Sequence, residues 1–457
     1  MDKSMKLNVI IMLMDNLGYG DLGCYGSELH DTPNVDQLAE EGMRLTDFYS
    51  ASGVCTPSRA ALMTGCYPRR NNMHCSGDGR AVLFPADEKG LHPHEITLAD
   101  ILKDQGYSTA CVGKWHLGDQ DPFLPTNHGF HEFFGCPYSE DMRPDVKGPH
   151  VPPLPLMRDE DVVEEAPDIN YLTKRYTEEA IRFLQENQDH PFFLYVPYAM
   201  PGSDATPFAS PEFRGQSDNG IYGDCVEELD WSAGRIMQTL ADLGLDEDTI
   251  VIWTSDNGAV EHHPPQGSNA PLKGWGYDTS EGGQRMPCIV RWPGKIPART
   301  VTDGVITMMD FLPTISTIAG AAPPSDRIID GYDVGDLLSG DANAVSPYDS
   351  SGFFYYHIGQ LQAVRQDQWK LYLPLDNKIT HLRANYDDGE QVDAELYNLR
   401  KDIREEHDVA EEHPEVVHRL MSLADAIRDD IGDWDREGRN QRPAGYVSNP
   451  EPQTLSP

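Results

Sequence analysis

The chain has 457 residues, with 75 Asp and Glu against 36 Lys and Arg, a formal net charge of −39. That balance excludes nucleic-acid binding, which needs a basic face, and no apolar run approaches the roughly 20 residues that cross a bilayer. The length suits one large α/β domain with a smaller companion. The acidity reads either as adaptation to high salt or as general solubility, and in both cases an anionic ligand needs locally concentrated positive charge.

Residues 7–14 form a near-continuous apolar run, predicting a strand buried on both faces. The run is short, ends in Asp15-Asn16 and has no small-residue cleavage site, so it does not read as a signal peptide. As given, the chain is expected to be cytoplasmic, or periplasmic or secreted if a leader has been trimmed, with no membrane partner. A helix is predicted over 34–41 and a second strand over 44–49. Residues 97–105 are helical and close at Gly106, followed by a strand over 108–112. Residues 169–188 carry an amphipathic pattern (Leu172, Tyr176, Ala180, Phe183, Leu184). A strand over 192–198, a helix over 222–243 closed by Gly244 and a buried strand over 249–254 complete the alternation. It predicts an α/β fold, a large, mostly parallel sheet sandwiched by helices. Pro- and Gly-rich stretches at 120–167 and 199–220 read as long loops and pocket walls.

Near residue 340 the character changes, giving domains 1–340 and 345–457. Short strands at 352–357, 361–365, 369–373 and 395–398, then a helix over 414–431, predict a small C-terminal antiparallel sheet with one helix. The polar, Pro-rich tail 437–457 is either disordered or wraps the surface. The eight cysteines show no zinc spacing, so reduced thiols are expected.

Chemistry concentrates in three strings. Cys55-Thr-Pro-Ser-Arg59 opens a helix, with Pro57 preset for its first turn and Thr56 and Ser58 able to cap free amides. A reactive group at Cys55 then faces the positive helix end and the Arg59 guanidinium. Asp15-Asn16 and Asp256-Asn257 each follow a strand, where ligands bind in open α/β sheets. Together they offer four hard oxygen donors, suited to Ca²⁺ or Mg²⁺ and not to zinc. Either pair alone is ordinary turn chemistry. Gly113-Lys114-Trp-His116 supplies a cation for an anionic oxygen and an imidazole able to move a proton near neutral pH.

Asp15-Asn-Leu-Gly-Tyr-Gly-Asp21, Cys55-x-Pro-Ser-Arg59, Gly113-Lys-Trp-His-Leu-Gly118, Ser255-Asp-Asn-Gly258, Glu281-Gly-Gly283 and Arg291-Trp-Pro-Gly-Lys295 occur in one order. The order resembles that of the type I sulfatases, a family similar in fold to alkaline phosphatase. The resemblance implies a sulfuric ester hydrolase acting on a sulfate monoester of a sugar or aryl alcohol. It implies that Cys55 is oxidised to formylglycine by a formylglycine-generating enzyme. It also implies catalytic roles for Arg59, Lys114 and His116, and a divalent metal, Ca²⁺ before Mg²⁺, on Asp15, Asn16, Asp256 and Asn257. A phosphate or phosphonate ester hydrolase, and a degenerate homologue with weak turnover, are the alternatives.

Three departures stand out. The family usually has Asp where this chain has Asn16, a substrate-side Lys where it has Gly276, and a His where it has Gly202. Lys273, His262 and His263 are the candidate substitutes on the substrate side, with Asp204 and Asp278 also near in sequence.

Overall fold

The structure is a computed structural model describing residues 7–203, 207–383 and 389–455. Five parallel strands form its centre. Asn8–Asp15 lies between Thr249–Ser255 and Phe192–Pro201, and Ser108–Val112 and Glu132–Gly135 continue outward. The sheet is mixed. Arg285–Arg291 adds antiparallel to Thr249–Ser255, and Met43–Tyr49 adds antiparallel to that.

Asn8–Asp15 shows why the sheet is sandwiched. Val9, Ile11 and Leu13 enter one apolar cluster, while Ile10, Met12 and Met14 enter another on the opposite face. The period-2 side-chain alternation of a strand dictates this. Helix Cys55–Thr64 packs on the first face. Pro33–Glu41, Leu172–Glu186 and Gly220–Leu243 pack on the second. Leu172–Glu186 buries Leu172, Tyr176, Ala180, Phe183 and Leu184, the stripe its sequence displays.

The stretch 120–167 is less loop-like than its composition suggests. It contributes Glu132–Gly135, Pro155–Arg158 and Asp161–Glu165 to the sheet edge. The C-terminal region forms a four-stranded antiparallel sheet from Phe353–His357, Gln360–Gln366, Trp369–Tyr372 and Glu395–Asn398, covered by helix Pro414–Ile431. Its inner face shares the apolar cluster that holds Val9 and Leu45.

A buried ion network also joins the two parts. Lys370 lies 3.0 Å from Glu281 and 3.1 Å from Glu405. Asp47 receives both Arg285 and Arg365 at 2.6 Å. The tail wraps the surface: Gly445–Tyr446 pairs with Lys89–Gly90, and Arg442 holds Glu95 at 2.6 Å. All eight cysteines are free thiols, and no described helix is long and apolar enough to cross a membrane.

Candidate active site

Parallel pairing places the two acidic strand ends side by side. Met14 is in register with Ser255, so Asp15 and Asp256 leave the sheet together at its carboxyl edge. Lys114 follows Ser108–Val112 at the same edge, and Ser203 follows Phe192–Pro201. The helix Cys55–Thr64 begins above them, with Cys55 as its first residue.

Thr56 and Ser58 do not cap this helix. The Thr56 hydroxyl donates to His116 O at 3.0 Å and the Ser58 hydroxyl to Ser52 O at 2.8 Å. Both tie the helix start to neighbouring loops, because the surrounding carbonyls are close and buried.

Arg59, one turn after Cys55, is fully buried and ties the site together. It donates to Asp256 Oδ2 at 2.8 and 3.0 Å, to Asp15 Oδ1 at 3.0 Å and to the Lys114 carbonyl at 2.6 Å. Lys114 Nζ lies 2.7 Å from Asp15 Oδ1, 3.0 Å from Ser139 Oγ and 3.6 Å from Cys55 Sγ. Cys55 Sγ is itself 3.2 Å from Asp15 Oδ1 and 3.9 Å from Asn16 Oδ1. Seven of the expected residues therefore converge: Asp15, Asn16, Cys55, Arg59, Lys114, Asp256 and Asn257.

Burial pushes the Asp15 carboxyl up, but Lys114 and Arg59 together more than reverse it and hold it well below the usual range. Asp256 is pushed up to about 7 by burial and by the Asp15 charge, against Arg59 and Lys114. Two carboxylates this close call for more positive charge than the two side chains supply. The Asn257 amide donates to Asn16 Oδ1 and to Gly258 O, leaving its own Oδ1 buried without a hydrogen-bond partner. Asp15, Cys55 and Asp256 form one of the groups with metal-compatible spacing among the described residues. An orphaned amide oxygen beside two crowded carboxylates fits a hard divalent cation.

Burial raises the Cys55 thiol well above its ordinary pKa, and the Asp15 and Asp256 charges add to this. As a plain cysteine it stays protonated.

His116 is buried next to the Cys55 cavity, with φ at 63°. Its Nε2 lies 3.0 Å from the Leu83 carbonyl and so carries the hydrogen, which leaves Nδ1 as an unpartnered acceptor. Burial, then the Lys114 and Arg59 charges, hold its pKa well below 6.5. The imidazole is a neutral base, not the group titrating near neutral pH that its residue type suggests.

The cavity at Cys55 has a volume of about 620 Å³. Sequence reasoning misplaces its far wall. Lys273 is not on it: its Nζ lies 3.2 Å from Glu405 O and 5.1 Å from the Tyr397 ring centroid, lining a separate cavity. His263 is exposed near Glu261, and neither it nor half-buried His262 lines the Cys55 cavity. Asp278 accepts from Ser280 in a local turn, and Asp204 lies outside the described residues.

Gly276 has no room for a side chain, since a Cβ there would stand 2.4 Å from Gly258 O. The next residue, Tyr277, faces the cavity instead, in a left-handed conformation (φ 77°) rare for a bulky residue. Its hydroxyl donates to Ser203 Oγ at 2.7 Å and accepts from Asn16 Nδ2 at 3.4 Å. At Gly202 (φ 80°) a Cβ would meet Glu140 Oε1 at 2.6 Å. Glu140 is buried, with that oxygen unpartnered, and burial pushes its pKa up to about 8.

Comparison with known proteins identifies the family. The family model described as "Sulfatase" matches residues 7–321, and that described as "N-sulphoglucosamine sulphohydrolase, C-terminal" matches 273–429. The N-acetylgalactosamine-6-sulfatase of Canis lupus familiaris is 40% identical over 385 residues, covering 79% of this chain and 71% of the relative. The steryl-sulfatase of Homo sapiens is 37% identical over 432 residues, covering 78% and 73%. The solved structure of the PsFucS1 sulfatase from Pseudoalteromonas sp. superimposes with a TM-score of 0.79 at 27% identity, covering 93% and 90%. The chain belongs to the sulfatase family.

Proposed function

We propose that this sulfatase hydrolyses sulfate monoesters at residue 55, after a formylglycine-generating enzyme has oxidised the Cys55 thiol to an aldehyde. The observation carrying this is the position of the Cys55 side chain, 3.2 Å from the Asp15 carboxylate and 3.6 Å from Lys114 Nζ at the base of the cavity. As formylglycine, residue 55 supplies a hydrated aldehyde with one hydroxyl for attack on sulfur and a second whose deprotonation releases sulfate. Asp15, Asn16, Asp256 and Asn257 are the residues that hold a divalent cation, Ca²⁺ before Mg²⁺. When bound, it lowers the pKa of a nearby hydroxyl and offsets charge on sulfuryl oxygens.

The chain's own side chains divide the remaining work. Lys114 Nζ, held between Asp15 and Ser139 and 3.6 Å from Cys55 Sγ, meets a sulfuryl oxygen placed at residue 55. Arg59 holds both carboxylates in position. His116 Nδ1 accepts the proton released at residue 55, its tautomer fixed by the Leu83 carbonyl. The Tyr277 hydroxyl donates to Ser203 Oγ, and both line the cavity, so Ser203 passes its own proton to the leaving oxygen as it takes the one from Tyr277, which solvent then restores.

Turnover of matched aryl sulfate, phosphate and phosphonate esters tests the reading. Wild type should prefer the sulfate, and Cys55→Ala should abolish its hydrolysis. A Cys55→Ala variant that keeps wild-type turnover overturns the account, and a preference for the phosphate reassigns the reaction.

A further inference from the structure

The wall of the Cys55 cavity away from the sheet inverts the charge of the molecule. Acidic residues outnumber basic ones by about two to one overall, 75 to 36. Yet this cavity is lined by Arg80, Lys147 and Arg383 against one acid, Asp141. Lys147 is spoken for, its Nζ 2.6 Å from Asp141 Oδ2.

The two arginines are different. Arg80 and Arg383 stand directly opposite each other across an isolated antiparallel bridge, with Ala81 N donating to Leu382 O at 3.0 Å. Like charges directly opposed on paired strands destabilise the pairing. Arg80 is only partly compensated: its guanidinium lies over the Phe84 ring at 4.2 Å, and Nε is 2.8 Å from half-exposed Asp78. Arg383 is exposed and makes no ion pair among the described residues. Both arginines line the cavity from paired backbone positions, and two guanidiniums there offer donors suited to a tetrahedral or planar anion.

We propose that Arg80 and Arg383 form a second anion subsite beside the reacting sulfate. The substrate is then a saccharide carrying at least two anionic groups, a second sulfate or a carboxylate, and not an aryl or steryl monosulfate. The inference rests on the sulfate-ester reading above and specifies its substrate class. A protein of net charge −39 repels such a substrate at a distance, so the arginine pair supplies the local attraction that admits it.

The test compares three synthetic disaccharides sharing one scissile sulfate: one with no other charge, one with a second sulfate and one with a uronate carboxylate. An aryl sulfate is assayed in parallel to report the reaction itself. Wild type should favour one or both dianionic disaccharides by about 10- to 100-fold in kcat/KM, the worth of charge-assisted hydrogen bonds. Whichever second group is favoured identifies the anion. The preference should appear in KM, shrink with added salt and fall to near unity in Arg80→Gln/Arg383→Gln. Each single variant is measured too, with its melting temperature, so that a misfolded double variant still leaves a reading.

Equal kcat/KM for all three disaccharides in wild type, or a preference that survives both substitutions, overturns the subsite. If no sulfate ester is hydrolysed, the reaction is wrong. Calorimetric binding of the same disaccharides to Cys55→Ala then decides the subsite alone, with equal affinities rejecting it.

Discussion

Asn16→Asp tests the metal assignment without relying on turnover. The Asn16 side-chain nitrogen lies 3.5 Å from Asp15 Oδ2, 3.0 Å from Ser203 Oγ and 3.4 Å from the Tyr277 hydroxyl. Both hydroxyls can turn to donate to a carboxylate, so the substitution costs few hydrogen bonds. What changes is charge. Two carboxylate oxygens at that separation repel by about 5 kcal/mol at an effective dielectric of 20. Lys114 and Arg59, both on Asp15, offset part of this.

For 457 residues, an unfolding entropy of about 2.1 cal/mol/K per residue makes 1 kcal/mol worth about 1 °C. In chelator, Asn16→Asp should therefore melt a few degrees below wild type. With excess Ca²⁺ the order should reverse, because a third carboxylate tightens the donor set. Each tenfold gain in affinity adds about 1.4 kcal/mol. The assay is calorimetric melting across a calcium titration. A variant whose calcium-dependent gain is no larger than that of wild type refutes the assignment of residue 16 to the cation.

Three further outcomes are expected. Lys370→Met leaves the buried Glu281 and Glu405 carboxylates without their shared cation, and should cost about 3–5 kcal/mol in denaturant unfolding. Tyr277→Phe should slow hydrolysis more as the leaving group becomes more basic, steepening a plot of log kcat against phenol pKa; an unchanged slope removes Tyr277 from the proton path. The third concerns Glu140. Because burial raises it to about 8 from 4.5, the folded state binds more protons than the unfolded state between those values. Its contribution is then fully present below about 4.5 and is lost as pH rises through about 8. Glu140→Gln should flatten that part of the stability profile, read as melting temperature against pH, and an unchanged profile contradicts it.

The parts of the fold carried by periodicity were legible. The strand at 108–112, the helix at 414–431 and the C-terminal strands lie where the pattern put them, because a regular run or stripe of apolar residues is buried in each. Arg285–Arg291 was not legible: it begins and ends in arginine and holds Pro287. It is nonetheless a buried strand, since its register shifts between Met286 and Cys288 and Asp47 neutralises Arg285. Within the site, strand ends and a helix start fixed Asp15, Cys55, Arg59, Lys114 and Asp256. Lys273, His262 and His263 have only nearness in sequence to Gly276 to recommend them. Chain direction in a long loop has no such pattern, and here it turns Tyr277 inward and Lys273 toward Tyr397. The opposed Arg80 and Arg383 are 303 positions apart by number, and only the antiparallel bridge brings them together.

The most direct measurement of the central claim is the chemical state of residue 55 set against activity. Peptide mass spectrometry gives the fraction of residue 55 present as aldehyde in preparations made with and without a formylglycine-generating enzyme. Aryl sulfate turnover of the same preparations should rise in proportion to that fraction, through the origin. Full turnover from protein carrying only the Cys55 thiol contradicts the account.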